Sequence, residues 1–310
     1  MALDEPTANP QNGVQKNLVP PLDPELFQPS PEALDFLKQT ASKDEQELRS
    51  RVQEAQEEAY AKFPYPCIRG YHHVALFMSL NTIYPRVLEL GKSDPEAVLL
   101  DIGCCMGTDV RKAVYDGYPA SQVVGCELVA EFLTLGHKLY RDEDTCNIRF
   151  IQGDIFALQL PSSLQPTTPP VTSISQSTSL GDLLGRAAAI YTGALFHLFD
   201  ESAQYALALR LAMLARKDKP SIIFGRHQGL PQAGPIEDSF MKARYAHSPE
   251  SWVKLWKDVF TSVRGEGFAK EHVLVQAELK QSNAGSSWQA INFAMRSQHG
   301  VLYWSVEISP

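Results

Sequence analysis

Three acidic residues stand at the ends of short apolar segments in the middle of the chain. Asp101 closes the run Val-Leu-Leu-Asp, Glu127 closes Val-Val-Gly-Cys-Glu, and Asp154 follows Phe-Ile-Gln-Gly. They lie 26 and 27 residues apart, as expected for successive strands joined by helices. Because ligands of open α/β sheets bind at the carboxyl ends of the strands, we expect these carboxylates to converge there. A single acid of this kind is more often a helix cap, so the argument depends on all three.

The turn after Asp101 limits which ligand these acids can hold. Gly103 and Gly107 are separated by three residues, so the Gly-x-Gly-x-x-Gly fingerprint of dinucleotide-binding proteins is absent, and so is the Gly-Lys-Ser/Thr of a P-loop. Glycines let the backbone approach a ligand closely, and an acid such as Glu127 can accept hydrogen bonds from ribose hydroxyls. A ligand with a ribose, no phosphate and a cationic ammonium and sulfonium suits this acidic site. The residues therefore favour S-adenosylmethionine as the cofactor, with no metal.

Candidate residues for a second substrate follow the next two strand-like segments. His197 follows the fourth segment, where it is a candidate general base or hydrogen-bond partner, with a purely structural histidine as the alternative. Arg226 and His227 follow the fifth segment, and Arg226 could hold a substrate carboxylate through two hydrogen bonds. His72 and His73 begin a helical stretch, where only one of two adjacent side chains can face the pocket. We take His72 as that candidate.

The elements that must position these residues read as alternating strands and helices. We place strands at Ala97–Ile102, Val123–Glu127, Ile148–Gln152, Ala188–Thr192 and Ser221–Gly225. Alternation at this spacing predicts βαβ units and a mostly parallel, doubly wound α/β sheet. Two later segments, His272–Leu279 and Val301–Ile308, have no convincing helix between them, so we expect an antiparallel pair that completes the sheet.

Three regions outside the sheet are assigned from composition. Prolines and polar residues predict a flexible tail, assigned to residues 1–40, and a helical cap is assigned to residues 41–92. The remaining residues, 93–310, form the expected cofactor-binding domain. Within it, residues 161–179 are rich in Pro, Ser and Thr and are expected to form an inserted loop.

Two helices are expected in the cap. The first begins at Ser42, where Glu45 completes a capping box, and ends at the prolines that follow Phe63. The second runs from about His72 to Leu90 and is interrupted at Pro85. The cap would thus lie directly before the first strand.

Composition and charge exclude several classes of protein. The chain has 310 residues, 28 Lys and Arg against 36 Asp and Glu, and a net charge of −8. Without a concentrated basic patch, a nucleic-acid partner is not expected, and no apolar segment is long enough to span a membrane. Five cysteines without a Cys-x-x-Cys motif favour reduced thiols, and no secretory signal is visible, so we expect a cytoplasmic protein.

The motifs carry a resemblance to a known family. The strand followed by Asp101-x-Gly103-x-x-x-Gly107, the next strand-end acid and the later Gly-Asp-Ile resemble the class I S-adenosylmethionine-dependent methyltransferases. More narrowly, the segments Phe-Pro-Tyr-Pro-Cys-Ile and His-Ser-Pro-Glu-Ser-Trp look like those of fungal methyltransferases of secondary metabolism. That group includes meroterpenoid pathways in which a carboxylate becomes a methyl ester. The likeness covers roughly residues 60–308.

The resemblance implies a Rossmann-like, seven-stranded sheet with an antiparallel last strand, and similar enzymes suggest a homodimer. Carried over by position, Asp101 and Gly103 would line the methionine end of the cofactor, with Gly107 in the same turn. Glu127 and Leu128 would contact the ribose, and Asp154 with Ile155 the adenine. The chain departs from the family pattern at Cys105, which stands where a glycine is frequent.

We therefore expect a methyltransferase for a small secondary metabolite that methylates oxygen, in either a carboxylate or a phenol or alcohol. Two alternatives stay open at this point. One is methylation of nitrogen, sulfur or a protein side chain. The other is a non-catalytic subunit that binds the cofactor and supports another enzyme.

Overall fold

The computed structural model describes residues 20–160, 173–236, 244–281 and 300–310. Within them, seven strands form one sheet in the order β3-β2-β1-β4-β5-β9-β8, and every strand except β9 runs in the same direction. The strands of this sheet are β1 (Val98–Ile102), β2 (Val123–Glu127), β3 (Arg149–Gln152), β4 (Ala187–Gly193), β5 (Ser221–Gly229), β8 (Val273–Gln281) and β9 (Gly300–Ile308). The doubly wound α/β sheet with a reversed last strand is confirmed.

Helices cover both faces of the sheet. They are α1 (Pro31–Thr40), α2 (Glu45–Lys62), α3 (Pro66–Arg69), α4 (Tyr84–Ser93), α5 (Thr108–Tyr115), α6 (Ala130–Tyr140), α7 (Glu201–Leu214), α8 (Pro249–Arg264) and α9 (Glu266–Glu271). Alternate residues of β1 face opposite sides of the sheet. Leu99 packs with α4 and α5 on one face, and Leu100 packs with α7 and α8 on the other. The central strands are therefore buried on both faces, which explains their continuous apolar sequence.

Strand β5 is longer than its apolar run. It continues to Gly229 because β9 pairs with it along its whole length, from Ser221 with Ile308 to Gly229 with Gly300. Arg226 and His227 therefore lie inside the strand, not after it as the sequence suggested. Successive side chains of a strand point to opposite faces, so these two cannot share a pocket.

The assignment of residues 1–40 to a flexible tail is wrong for its last part. Residues 1–19 lie outside the described residues, but α1 is a helix capped by the Ser30 hydroxyl, which accepts a hydrogen bond from Ala33 N at 3.1 Å. Phe36 and Leu37 on this helix are buried in the cap. Their apolar pair anchors a segment whose prolines and polar residues had suggested a loose chain.

The cap helices differ in detail from those expected. Helix α2 begins at Glu45, three residues after the expected start at Ser42, with Asp44 as its cap, and it ends as predicted before Phe63. The stretch after His72 forms two short 3-10 turns, His72–Val74 and Met78–Leu80, instead of a helix. Pro85 lies in the first turn of α4, where its missing N–H costs nothing, so it begins this helix and does not interrupt one.

The expected inserted loop is described only in part. Residues 161–172 lie outside the described residues, and Ile174–Gln176 form a 3-10 turn whose Ile174 is buried in the main core. A two-stranded ribbon, β6 (Gly234–Ile236) with β7 (Arg244–Ala246), lies between β5 and α8 in the chain. No helix in the described part combines the length and the apolar character needed to cross a bilayer.

Candidate cofactor and acceptor site

The turn after β1 has an unusual backbone. Gly103, Cys105 and Gly107 have φ angles of 80°, 52° and 72°, in the left-handed region that favours glycine. The amides of Gly103 and Cys104 both donate to the carbonyl of Cys126, at 2.8 and 3.1 Å, which ties the turn to the end of β2. Cys105 is the only one of these three residues that carries a side chain, so its left-handed backbone is the least favourable of the three.

Two glycines allow other elements to pack tightly around this turn. A Cβ atom on Gly107 would lie 2.7 Å from the Phe150 ring. A Cβ atom on Gly136 of α6 would lie 2.3 Å from the carbonyl oxygen of Met106, so only glycine lets α6 approach the turn this closely. The role of Gly136 was not predicted from the sequence, because a glycine inside a helical pattern does not indicate which element packs against it.

Asp101 is the most deeply buried of the strand-end acids. Its side chain is 2 % exposed, and Oδ1 has no hydrogen-bond partner among the described residues. Burial raises the pKa of this carboxyl well above its usual value, and the negative charges of Asp109 and Glu127 raise it further. A buried carboxylate beside two others is costly unless a cation neutralises it. This arrangement fits a positively charged ligand.

Glu127 at the end of β2 is 8 % exposed and supports the same turn. One carboxylate oxygen accepts from Cys105 N at 2.9 Å and the other from Val129 N at 3.1 Å. Burial raises its pKa, and these backbone donors partly oppose the rise. Each oxygen retains a lone pair for a further donor, as two ribose hydroxyls would require. Leu128, the next residue, is 41 % exposed and available for a ligand contact.

Asp154 reaches the same edge of the sheet but is less buried. It follows β3, and its Oδ1 accepts from Phe156 N at 2.9 Å, so it caps the 3-10 turn that begins at the buried Ile155. The amide of Gly153 donates to the Glu127 carbonyl at 2.9 Å, which holds the ends of β2 and β3 together. The structure thus brings all three predicted acids to one edge, although Asp154 also has the capping role of an ordinary strand-end acid.

The other half of this edge, around β4 and β5, carries a buried cation, Arg226. Arg226 on β5 is 2 % exposed, and its guanidinium carbon lies 3.5 Å from the centre of the Phe77 ring in the cap. The amides of Phe77 and Met78 both donate to Asp109 Oδ1 at 2.9 Å. The acid in the first turn of α5 therefore fixes the cap segment that packs on the arginine.

Two further residues lie beside Arg226. The His72 ring packs edge-on against Phe77 with 5.1 Å between ring centres, and burial, followed by the charge of Arg226, lowers its pKa to about 3. His72 is therefore neutral at pH 7. The hydroxyl of Tyr191 on β4 is buried without a hydrogen-bond partner among the described residues, and the charges of Asp109 and Arg226 both act on it. Neither Tyr191 nor Asp109 was singled out from the sequence.

His197 follows β4 as expected, in the 3-10 turn Phe196–Leu198. It is 7 % exposed, and its Nδ1 has no hydrogen-bond partner among the described residues. Burial lowers its pKa well below the usual value, and the charges of Arg244 and Arg226 lower it further, so the imidazole is neutral. Leu195, from the same turn, lies 3.7 Å from where a Cβ of Gly103 would be, which places this turn next to the cofactor turn.

His227 is directed away from Arg226, into a cluster of aromatic side chains. Its Nδ1 accepts from Nε1 of Trp304 at 3.0 Å, and its ring centre lies 4.4 Å from that of Trp252. The strand alternation that directs Arg226 to one face directs His227 to the other. We therefore do not retain His227 as a substrate-binding residue.

One group of residues outside this edge has the composition of a metal site. Ligand atoms of His137, Asp142 and Cys146 lie within 4.8 Å of one another. Both oxygens of Asp142, however, accept from the guanidinium of Arg111, at 2.6 and 2.9 Å. The carboxylate is thus already neutralised by a cation of the chain itself.

Comparison with known proteins finds fungal methyltransferases that are similar to this chain. Residues 22–74 match a family model described as a meroterpenoid methyltransferase N-terminal domain. O-methyltransferase phiE of a fungal species is 30% identical over 67% of this chain, and the match spans 64% of that protein, slightly under two thirds of its length. The asnovolin E/chermesin D methyltransferase nvfJ of Aspergillus novofumigatus is 28% identical over 73% of this chain and 75% of its own.

A solved structure is similar to this chain at a much lower sequence identity. The 1,6-didemethyltoxoflavin-N1-methyltransferase of Burkholderia thailandensis has a TM-score of 0.44 and 10% identity, over 75% of this chain and 80% of that one. The family model and the fungal relatives together show that the chain is similar to fungal methyltransferases, and its strand order is the one that this resemblance implied.

Proposed function

We propose that this protein transfers a methyl group from S-adenosylmethionine to a carboxylate oxygen of a small, largely apolar metabolite. The observation that carries the proposal is the opposite charge of two buried groups on different strands at the same edge of the sheet. Asp101 has a carboxylate oxygen without a hydrogen-bond partner among the described residues, and Arg226 presents a buried guanidinium on the next strand but one. An acidic half suits a cationic cofactor, and a guanidinium suits an anionic acceptor.

The residues present fit the cofactor. Asp101 would accept from its ammonium group, the left-handed turn of Gly103 and Gly107 would let the backbone approach it, and Glu127 would accept from the ribose hydroxyls. Exposed Leu128 would contact the ribose, and Asp154 with buried Ile155 would contact the adenine. When bound, this cofactor supplies a methyl group on a positively charged sulfur.

The acceptor half then has to align and desolvate the nucleophile. A carboxylate is already ionised at pH 7 and needs no base. Its oxygen forms a bond to the methyl carbon while the bond from carbon to sulfur breaks and its electron pair stays on sulfur. Arg226, with His72 and Phe77 beside it, would hold the carboxylate in line, and the near-complete burial of Arg226 excludes water.

A phenol or alcohol acceptor is the second candidate, because a neutral imidazole lies at the correct strand end. His197 has a buried Nδ1 without a hydrogen-bond partner among the described residues and would remove the hydroxyl proton. For such an acceptor, His197→Ala should reduce turnover by about 100-fold or more. Turnover close to wild type would remove His197 from the chemistry.

The experiment uses labelled methyl donor with a panel of apolar carboxylic acids, phenols, alcohols, amines and thiols, and with protein fractions. A methyl ester releases its label as methanol in mild alkali, whereas ethers, amines and thioethers retain it. We expect base-labile product from the carboxylic acids alone. Base-stable product would contradict the carboxylate assignment, and labelling only of protein fractions would favour a protein-directed enzyme. Failure of the wild-type protein to bind S-adenosylmethionine by calorimetry would overturn the proposal altogether.

A homodimer and a cytoplasmic location remain part of this proposal, together with a small-molecule acceptor. The fungal resemblance supports the dimer, and light scattering coupled to size exclusion tests it. A mass of one chain, 34.4 kDa, would contradict the dimer. Imaging of the tagged protein in fungal cells tests the location.

A further inference from the structure

Arg111 reaches back from α5 to the turn that precedes this helix. It is 6 % exposed, and its Nη1 donates to the carbonyl of Met106 at 2.8 Å and to that of Gly107 at 3.2 Å. These carbonyls belong to the turn that contains the three left-handed residues. A side chain after the turn thus holds the turn's own backbone.

The guanidinium is itself fixed from several sides. Its Nε and Nη2 donate to the two oxygens of Asp142 at 2.6 and 2.9 Å, and Asp142 also bonds to His137 Nδ1 at 2.8 Å. The rings of Tyr140 and Phe150 lie 4.5 and 5.1 Å from the guanidinium carbon. Because all three nitrogens are used, only an arginine can join Asp142 to both carbonyls.

The turn needs such support. Left-handed backbone is unfavourable for a residue with a side chain, such as Cys105, by about 1 kcal/mol or more and persists only where the surroundings enforce it. A ligand that requires one conformation binds more weakly in proportion to the fraction of molecules that have it. A rigid turn therefore raises affinity without any new contact to the ligand.

We propose that Arg111 and Asp142 are positioning residues, a clamp that presets the cofactor turn and so sets the affinity for S-adenosylmethionine without touching it. This inference rests on the proposed function of the turn. The clamp also accounts for the His137, Asp142 and Cys146 group, because the guanidinium takes the place that a metal ion would need at Asp142.

The test compares two neighbouring cations of one helix. Arg111→Lys keeps the charge but cannot bond to Asp142 and both carbonyls together. Lys112→Met is the matched control: Lys112 is 7 % exposed and pairs with Asp116 at 2.6 Å, at the other end of the helix from the turn. We expect Arg111→Lys to weaken S-adenosylhomocysteine binding about tenfold by calorimetry. Lys112→Met should bind within about twofold of wild type, even where urea unfolding shows an equal loss of stability.

Two further readouts separate positioning from a general structural role. In Arg111→Lys and Asp142→Asn, KM for S-adenosylmethionine should rise while kcat at saturating cofactor stays near wild type. Without any cofactor, amides of residues 103–107 should exchange hydrogen about tenfold faster in Arg111→Lys than in Lys112→Met. This second experiment remains informative where enzymatic product is too low to measure.

Equal affinity and equal exchange in Arg111→Lys and wild type would overturn the clamp alone. An equal loss of affinity in Lys112→Met would also overturn it, because the effect would then follow from destabilised α5. Absence of S-adenosylhomocysteine binding by the wild-type protein would instead overturn the proposed function, and with it the clamp.

Discussion

The two halves of the sheet's carboxyl edge differ in the sign of their buried charge. Asp101, Glu127 and Asp154 lie at or just after the ends of β1, β2 and β3, whereas β4 is followed by His197 and β5 carries Arg226. Both halves are largely removed from water, so their charges are weakly screened. The boundary between them lies between β1 and β4, where the strand order reverses.

This difference in buried charge suits the transfer of a methyl group from a cationic donor to an anionic acceptor. The methyl donor is a cation and the proposed acceptor is an anion, so each is attracted to the half of opposite charge. On the proposed function, cofactor and acceptor would meet at the boundary, where Leu195 lies beside Gly103.

The largest effect is expected from Arg226→Met. Loss of a bidentate charged partner should lower kcat/KM for base-labile methylation of carboxylic acids by about 100-fold, because such pairs contribute a few kcal/mol when buried. The dissociation constant of S-adenosylmethionine should change by about twofold or less. Steady-state kinetics with an acid from the panel and calorimetry measure the two quantities.

Arg216→Met is the matched control for that variant. Arg216 is a 6 % exposed arginine paired with Asp94 at 2.7 Å, just before the opposite end of β5. It should reduce stability and leave kcat/KM within about threefold at a temperature where the variant is folded. An equal loss of kcat/KM in both variants would mean that Arg226 acts on the fold and not on the acceptor.

Low pH should destabilise the folded protein by protonating His247. His247 is buried, and burial lowers its pKa to about 4, below the value in an unfolded chain. Its contribution to stability is therefore complete above about pH 6.5 and is lost as the pH falls toward the folded-state pKa. In His247→Gln, the drop in unfolding free energy between pH 7.5 and 4.5 should be smaller by about 2 kcal/mol. Urea unfolding followed by tryptophan fluorescence measures the difference, and an unchanged drop would show that His247 is already protonated or accessible.

In the acidic half, a fall in pH should weaken binding of the cofactor. Burial raises the pKa of Asp101 and Glu127, so these groups take up protons as the pH falls. Because a cation prefers their ionised forms, S-adenosylmethionine should bind about three- to tenfold more weakly at pH 5.5 than at pH 7.5. Calorimetry in buffers of different ionisation enthalpy should show proton release on binding at pH 6. A flat pH profile would contradict the assignment of these acids to the cofactor.

The acidic half could be predicted almost completely from the sequence. Its strands are short, apolar and local, and β2 agrees with its expected bounds, Val123–Glu127. Asp101 and Glu127 stand directly after apolar runs and Asp154 follows one after two residues, so the positions of these side chains follow from the neighbouring residues. The left-handed Cys105 and the close approach at Gly136 escaped prediction, because both depend on elements that meet only in the fold.

The acceptor half was predicted less well because its geometry depends on distant segments. The extent of β5 is set by β9, about 80 residues later, and this alone decides that Arg226 and His227 face opposite sides. The packing of Phe77 on Arg226 depends on Asp109, which lies in a helix between them in the chain. The turns around His72 likewise follow from packing in the cap and not from a periodic pattern.

The division of this edge into two halves can be tested by the dissociation constant of S-adenosylmethionine for wild type, Asp101→Asn and Arg226→Met, measured side by side by calorimetry at pH 7.5. Asp101→Asn keeps the shape of the side chain and removes its charge, so the unfolding free energy without cofactor should not fall. We expect binding about 30-fold weaker in Asp101→Asn and within about twofold of wild type in Arg226→Met. Equal affinities in all three proteins, or a larger loss in Arg226→Met, would contradict the division of this edge into a cofactor half and an acceptor half.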